Sequence, residues 1–167
     1  PEVTYSLPAR QVANGVVDSF IHVVEQYLTY PVNAKVQDAF SEGLMRVIYE
    51  EGVKVLDNPT DYDIRANLMW AATNALNVWI GQGVPQDWAS HRMGYALTAQ
   101  FGLDHAQTLA VLLPGVMTYM FKEKQFHRMR LWRLYMKLGA YLFLHIQLIS
   151  IYQNNLQKKK LKMLLIE

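Results

Sequence analysis

The chain of 167 residues contains no cysteine, which excludes disulfide bonds and thiolate metal sites. It has no apolar run of about 18 residues, the length that a membrane-spanning helix needs. Before residue 122 it has no repeat of fixed period and no low-complexity stretch. No basic-then-apolar leader is present, so we expect a cytoplasmic protein. The start at Pro1 suggests a processed product or a fragment. With 51% hydrophobic residues, the composition is that of one folded domain.

Acidic residues are scarce in the last part of the chain. Residues 1–121 carry 6 basic and 12 acidic side chains, whereas residues 122–167 carry 10 basic and 2 acidic ones. Three explanations are open for this basic, divergent tail: a membrane-surface segment, a nucleic-acid arm, or translation in a shifted frame. His145 and Gln147 interrupt its apolar part, and no recognition motif accompanies the lysines at 158–162. We favour the shifted frame and expect neither a nucleic-acid nor a membrane partner.

Apolar residues recur at intervals of three and four, which predicts an all-α helical bundle over residues 1–121. A short extended segment is expected at 1–7. Helices are predicted over 9–30, 32–56, 64–80, 86–101 and from Asp104 onward. The helix at 64–80 is apolar nearly all round, which is typical of a buried helix. Gly102 is expected to end the fourth helix, and Gly15 to mark a close backbone approach.

Four side chains are candidate metal ligands. Asp18 and His22 are four residues apart on the first helix, so they project from one face and can chelate a divalent cation. His91 lies inside the fourth helix and His105 at the first turn of the fifth, where the intervening turn can bring them together. A surface hydrogen-bonded couple and two satisfied core histidines remain the alternative. One carboxylate and three imidazoles suit Fe(II) or Zn(II) better than Ca(II) or Mg(II).

Three stretches surround these residues: ARQVANGVVDSFIHVVEQY, DIRANLMWAATNALN and GVPQDWASHRMGYALTAQFGLDHAQTLAVLLPG. With the Asp-x3-His and His-x13-His spacings, they closely resemble the iron-containing (group III) alcohol dehydrogenases, nearest to the NADPH-dependent butanol dehydrogenase and aldehyde reductase branch. The resemblance covers about residues 1–121 and implies the helical, dehydroquinate synthase-like domain of that family. It implies that Asp18, His22, His91 and His105 bind a catalytic iron or zinc. It also implies that the whole enzyme acts on small alcohols or aldehydes with NADP(H).

Two departures from that family bear on function. Its dinucleotide-binding domain is missing here, and Gly81-Gln-Gly83 is only a partial phosphate-loop match that follows a helix. We therefore expect a fragment that is inactive alone and does not bind NADP(H). Tyr95 stands where many relatives have a further histidine, which affects proton transfer or substrate placement. Catalytic and cofactor-contacting residues are not assigned.

A second hypothesis is a stand-alone, non-catalytic helical module that binds a metal or a partner protein. If the chain is instead a fragment, loss of the cofactor domain leaves an apolar face around Trp88, Met93 and Phe101 uncovered. Exposed apolar patches of that kind drive association. We therefore expect a homo-oligomer.

Overall fold

The computed structural model describes residues 1–30 and 32–124. A short 3-10 helix at Glu2–Thr4 precedes five α-helices: α1 Ala9–Tyr27, α2 Lys35–Asp57, α3 Tyr62–Leu76, α4 Ala89–Phe101 and α5 His105–Lys124. Those described residues contain no strand, which confirms the all-α fold. The extended segment predicted at 1–7 is wrong, because the Thr4 and Tyr5 amides donate to the carbonyls of Pro1 and Glu2 in a helical turn.

Helix α1 lies at the centre of the bundle and packs against α2, α3 and α5. Its apolar side chains are buried almost all round, and Ile21 and Val23 have no exposed surface. The helix ends at Tyr27, earlier than predicted, because Leu28 already leaves the helical conformation with φ −84° and ψ 62°. A helix that is enclosed on most sides can carry polar side chains into the interior, provided that they find partners there.

Helix α2 crosses α1 at a glycine. A Cβ atom on Gly52 would lie 2.4 Å from Val16 Cγ1, whereas nothing lies within 4 Å of a Cβ built on Gly15. The close approach predicted at Gly15 is therefore wrong, and Gly52 provides it from the partner helix. Of the apolar residues spaced along one side of α2, Ile48 and Val55 are buried, whereas Val36 and Phe40 near its start are exposed.

Helix α3 is half-exposed, in contrast to the buried helix predicted from its composition. Trp70 is 69% exposed, whereas Ala71 and Ala75 on the other side are buried. The Asp61 carboxylate caps the helix by accepting the Ile64 amide at 3.0 Å. The helix ends at Leu76, and Val78 then adopts a left-handed conformation with φ 63°.

Helices α4 and α5 form a tightly packed hairpin. Gly102 closes α4 in the left-handed conformation with φ 62°, as predicted, and its amide donates to the Thr98 carbonyl. Helix α5 begins at His105 and also packs on α1. The hairpin thus places the first turns of α4 and α5 beside the middle of α1. Within the described residues, no helix is both long and apolar enough to cross a membrane.

Candidate metal centre

The four predicted ligands meet where α1, α4 and α5 join. Asp18 and His22 project from the middle of α1, His91 lies in the first turn of α4, and His105 is the first residue of α5. One ligand atom each from Asp18, His22 and His91 lie within 4.8 Å of one another. Asp18 Oδ1 lies 3.7, 3.5 and 3.8 Å from the Nε2 atoms of His22, His91 and His105, respectively. The structure therefore brings Asp18, His22 and His91 together as one compact group, while His105 lies outside that group and approaches the same Asp18 oxygen.

This arrangement has the features of a cation site. Asp18 Oδ1 is buried and accepts no hydrogen bond of ordinary geometry from the described residues. A buried carboxylate oxygen without a partner is costly. The Nε2 atoms of His22 and His91 face each other at 3.0 Å. Two imidazole nitrogens this close share a proton or direct their lone pairs toward a common cation. The donor set of one oxygen and three nitrogens fits a transition-metal ion.

The environment sets the charge of each side chain. Burial lowers the pKa values of His22 and His105, which favours the neutral, ligating imidazole. Burial opposes ionisation of Asp18, but His91, His22 and His105 outweigh it and lower its pKa, so the carboxylate stays ionised. Burial would also lower the pKa of His91, but the hydrogen bond to Glu25 and the nearby Asp18 carboxylate raise it to about 9, so a bound cation would take the place of its Nε2 proton.

Glu25 is a buried member of the site that sequence reasoning missed. Its Oε2 atom forms a short hydrogen bond with His91 Nδ1, and its Oε1 atom accepts the Ser90 amide at 2.6 Å. Glu25 follows Asp18 by seven residues and His22 by three, so it lies on the same face of α1. That spacing, with a carboxylate inside an apolar stretch, was the signal that could have identified it.

A second polar contact holds the start of α5. Asn14 Nδ2 donates to Asp104 Oδ2 at 2.8 Å, and Arg10 Nε lies 3.4 Å from the same oxygen. The Asp104 carbonyl accepts the Thr108 amide at 3.2 Å, in the first turn of α5. Because Asp104 immediately precedes His105, these contacts tie the His105 backbone to α1.

Aromatic rings lie beside the three candidate histidine ligands. Trp88 contacts His22 and His91 edge-on, each with a centroid distance of 5.3 Å. Tyr95 stacks on His105 at 5.1 Å with an angle of 15° between the rings, and it is 58% exposed. Of the predicted apolar face, Met93 is 44% exposed, whereas Trp88 and Phe101 are half-buried. Tyr95 thus lies at the exposed side of the candidate site, beside His105.

Comparison with known proteins gives consistent matches. The model of the Fe-containing alcohol dehydrogenase family, C-terminal, matches residues 12–142. The NADPH-dependent aldehyde reductase YqhD of Escherichia coli K12 is 63% identical over 116 residues, which cover 70% of this chain and 30% of that protein. NADP-dependent alcohol dehydrogenase 3 of Entamoeba histolytica is 45% identical over 125 residues, or 74% of this chain and 32% of that protein.

Solved structures agree with the sequence matches. The substrate- and cofactor-free form of E. coli YqhD has a TM-score of 0.75 and 47% identity, and the match covers 90% of this chain and 40% of that one. The NADH-dependent butanol dehydrogenase A of Thermotoga maritima has a TM-score of 0.72 and 29% identity over 90% of this chain and 39% of that one. The chain thus spans less than half the length of these relatives. With the family model matching most of its residues, the chain belongs to the iron-containing alcohol dehydrogenase family and corresponds to the C-terminal part of its members.

Proposed function

We propose that this chain is the metal-binding part of an oxidoreductase that interconverts small primary alcohols and aldehydes with NAD(P)(H). The observation that carries the proposal is the convergence of three imidazole Nε2 atoms on the buried Asp18 Oδ1. Asp18, His22, His91 and His105 would hold one Fe(II) or Zn(II) ion. Such an ion, when bound, acts as a Lewis acid on the substrate oxygen. The names of the relatives, an aldehyde reductase and alcohol dehydrogenases, support the substrate class.

The side chains of this chain would prepare the site and position the substrate. Asp18 supplies the negative charge, while His22 and His105 present neutral imidazoles because burial lowers their pKa values. The Trp88 ring, which contacts His22 and His91 edge-on, would limit access of water from that side. Tyr95, exposed beside His105, would contact the substrate at the mouth of the site.

The nicotinamide would be held elsewhere in the whole protein. Hydride transfer needs the reacting atoms within about 3–3.5 Å of each other, in a fixed orientation. The sequence of this chain has no Gly-rich phosphate loop after a strand, and it spans only 30% of the aldehyde reductase that it matches. We therefore propose that residues 1–121 form a metal-binding domain that does not oxidise alcohols alone. The divergent tail proposed at 122–167 lies outside the described residues from 125 onward. Self-association remains a prediction.

A metal titration tests the ligand set. His22→Ala and His105→Ala should each lower the affinity for Zn(II) sharply. Loss of a residue that only hydrogen-bonds to a ligand typically costs about 10–100-fold, and loss of a ligand itself should cost more. The matched controls are His127→Ala and His145→Ala, the two histidines outside the proposed site. They should bind as the unmodified chain does. A ligand variant with unchanged affinity would remove that residue from the set. Binding of NADPH in the micromolar range or tighter would contradict the proposed division of the site.

A further inference from the structure

Glu25 directs its carboxylate away from its own helix, toward the start of α4. It is only 5% exposed. Its Oε1 atom accepts the Ser90 amide at 2.6 Å, and its Oε2 atom faces the His91 amide at 3.4 Å and bonds with His91 Nδ1. The Glu25 carbonyl accepts the Asp87 amide at 3.0 Å. One residue of α1 therefore contacts four donors in residues 87–91.

These donors need an acceptor from outside α4. The first amides of a helix have no partner within it, and Trp88 at the N-cap position makes no side-chain capping bond. The Glu25 carboxylate takes over this capping role from another helix. Its negative charge also lies at the positive end of the α4 dipole, where an anion is stabilised. Three donors together satisfy a carboxylate that would otherwise be costly to bury.

The hydrogen bond between Glu25 and His91 also determines which ring nitrogen of His91 faces the candidate metal site. With Nδ1 engaged by Glu25, the Nε2 atom is the one that faces Asp18 and His22. A hydrogen bond on one imidazole nitrogen sets the role of the other. We propose that Glu25 is a positioning residue, which fixes both the start of α4 and the orientation of His91 so that the site exists before an ion binds. This inference deepens the proposed function and rests on it for the identity of the ligands.

The side chain at position 25 must accept hydrogen bonds with both of its terminal atoms and donate none. A carboxylate offers two acceptor oxygens, whereas a glutamine amide offers one oxygen and two N–H donors. Glu25→Gln keeps the size of the side chain but must turn a donor toward Ser90 or His91. Glu25→Asp keeps both acceptor oxygens on a side chain that is shorter by one methylene. If Glu25 only fills space, Glu25→Gln should be tolerated better than Glu25→Asp. If Glu25 positions His91, Glu25→Asp should be tolerated better than Glu25→Gln.

The experiment measures Zn(II) affinity by chelator competition and the visible spectrum of the Co(II)-loaded chain. We expect affinity to fall about 10–100-fold for Glu25→Gln, with an altered Co(II) spectrum, and by less for Glu25→Asp. The control is Glu42→Gln, which makes the same change on α2, where Glu42 accepts the Tyr27 hydroxyl. It should bind as the unmodified chain does. Equal affinities for Glu25→Gln and the unmodified chain, or Glu25→Gln binding better than Glu25→Asp, would overturn the positioning role.

A metal-free measurement separates this inference from the proposed function. If the unmodified chain and Glu42→Gln both bind no metal, the proposed function fails. Amide hydrogen exchange and ring 15N shifts then still test Glu25. We expect faster exchange at Ser90 and His91 in Glu25→Gln, or loss of the proton from His91 Nδ1. If both the exchange rates and the Nδ1 proton stay as in the unmodified chain, Glu25 does not position His91.

Discussion

Gly94 is the residue at which packing of the hairpin and geometry of the candidate site are most directly linked. A Cβ atom there would lie 2.9 Å from Thr108 Oγ1 and 3.0 Å from Leu109 Cδ2. Thr108 and Leu109 have no exposed surface, so neither side chain can turn outward. The Thr108 hydroxyl also donates to the His105 carbonyl at 2.7 Å. Gly94→Ala must therefore move α4 and α5 apart.

The size of the effect follows from these distances. Non-bonded carbon atoms prefer about 3.5–4.0 Å, so the two helices must separate locally by about 0.5 Å. Overpacking of this kind costs about 1–3 kcal/mol. Alanine regains about 1 kcal/mol as the better helix former. We expect a net loss of about 0–2 kcal/mol in the free energy of unfolding.

The same displacement reaches the candidate ligands. His91 lies three residues before Gly94, and His105 three residues before Thr108. Functional sites must be held within about 0.5 Å, and a misplacement of about 1 Å can cost about 100-fold. We therefore expect Zn(II) affinity to fall on the order of tenfold, which competition with a chelator can measure.

The matched control is Gly43→Ala in α2, because nothing lies within 4 Å of a Cβ built there. It should raise the free energy of unfolding by about 1 kcal/mol and leave metal affinity unchanged. If Gly94→Ala also raised the melting temperature and bound Zn(II) as the unmodified chain does, the hairpin would have room that the structure does not show. The argument from close packing would then be refuted.

Three further perturbations have defined outcomes. Gly52→Ala should destabilise the chain to urea by about 1–3 kcal/mol, because its Cβ would lie 2.4 Å from Val16 Cγ1, and Val16→Ala should relieve part of that cost in the double variant. Val78→Asn should stabilise by about 1 kcal/mol in thermal melts, because asparagine tolerates the positive φ of 63° better and Val78 is 54% exposed. Stripping Zn(II) with a chelator, from a chain held at about 100 times its dissociation constant, should remove about 2.7 kcal/mol of stability. The far-UV circular dichroism should change little, because buried apolar side chains hold the helices together.

The sequence predicted the features that depend on local pattern. The spacing of apolar residues identified five helices. Gly102 was expected to end α4 because glycine adopts the left-handed conformation of a helix C-terminus at low energetic cost. The four candidate ligands were found from two spacings and a family resemblance. Their convergence depends on the α4–α5 turn, which the residue types at 102–104 made predictable.

The predictions that were wrong concern contacts between helices. Gly15 and Gly52 both lie inside helices, and only the crossing of α1 and α2 decides which one meets a neighbouring side chain. Trp70 is exposed although α3 is rich in apolar residues. Composition alone does not show how many faces of a helix pack against other helices. The spacing of Glu25 places it on the face of Asp18 and His22, but its partners, Ser90 and His91, are known only once α4 is packed beside α1.

One face of α1 accounts for the assembly of the whole site. Asn14, Asp18, His22 and Glu25 follow one another at intervals of four, four and three residues, so they form a single row along the helix. The two inner residues point at the cluster. The two outer residues contact the elements that carry the other two candidate ligands: Asn14 bonds with Asp104 before α5, and Glu25 bonds with the start of α4. Both outer contacts join protein groups to protein groups and do not include a ligand atom of the candidate site. We therefore expect a metal ion to bind to side chains that this row of α1 residues already holds in place. The free energy of metal binding would then contribute to affinity and not to ordering the site.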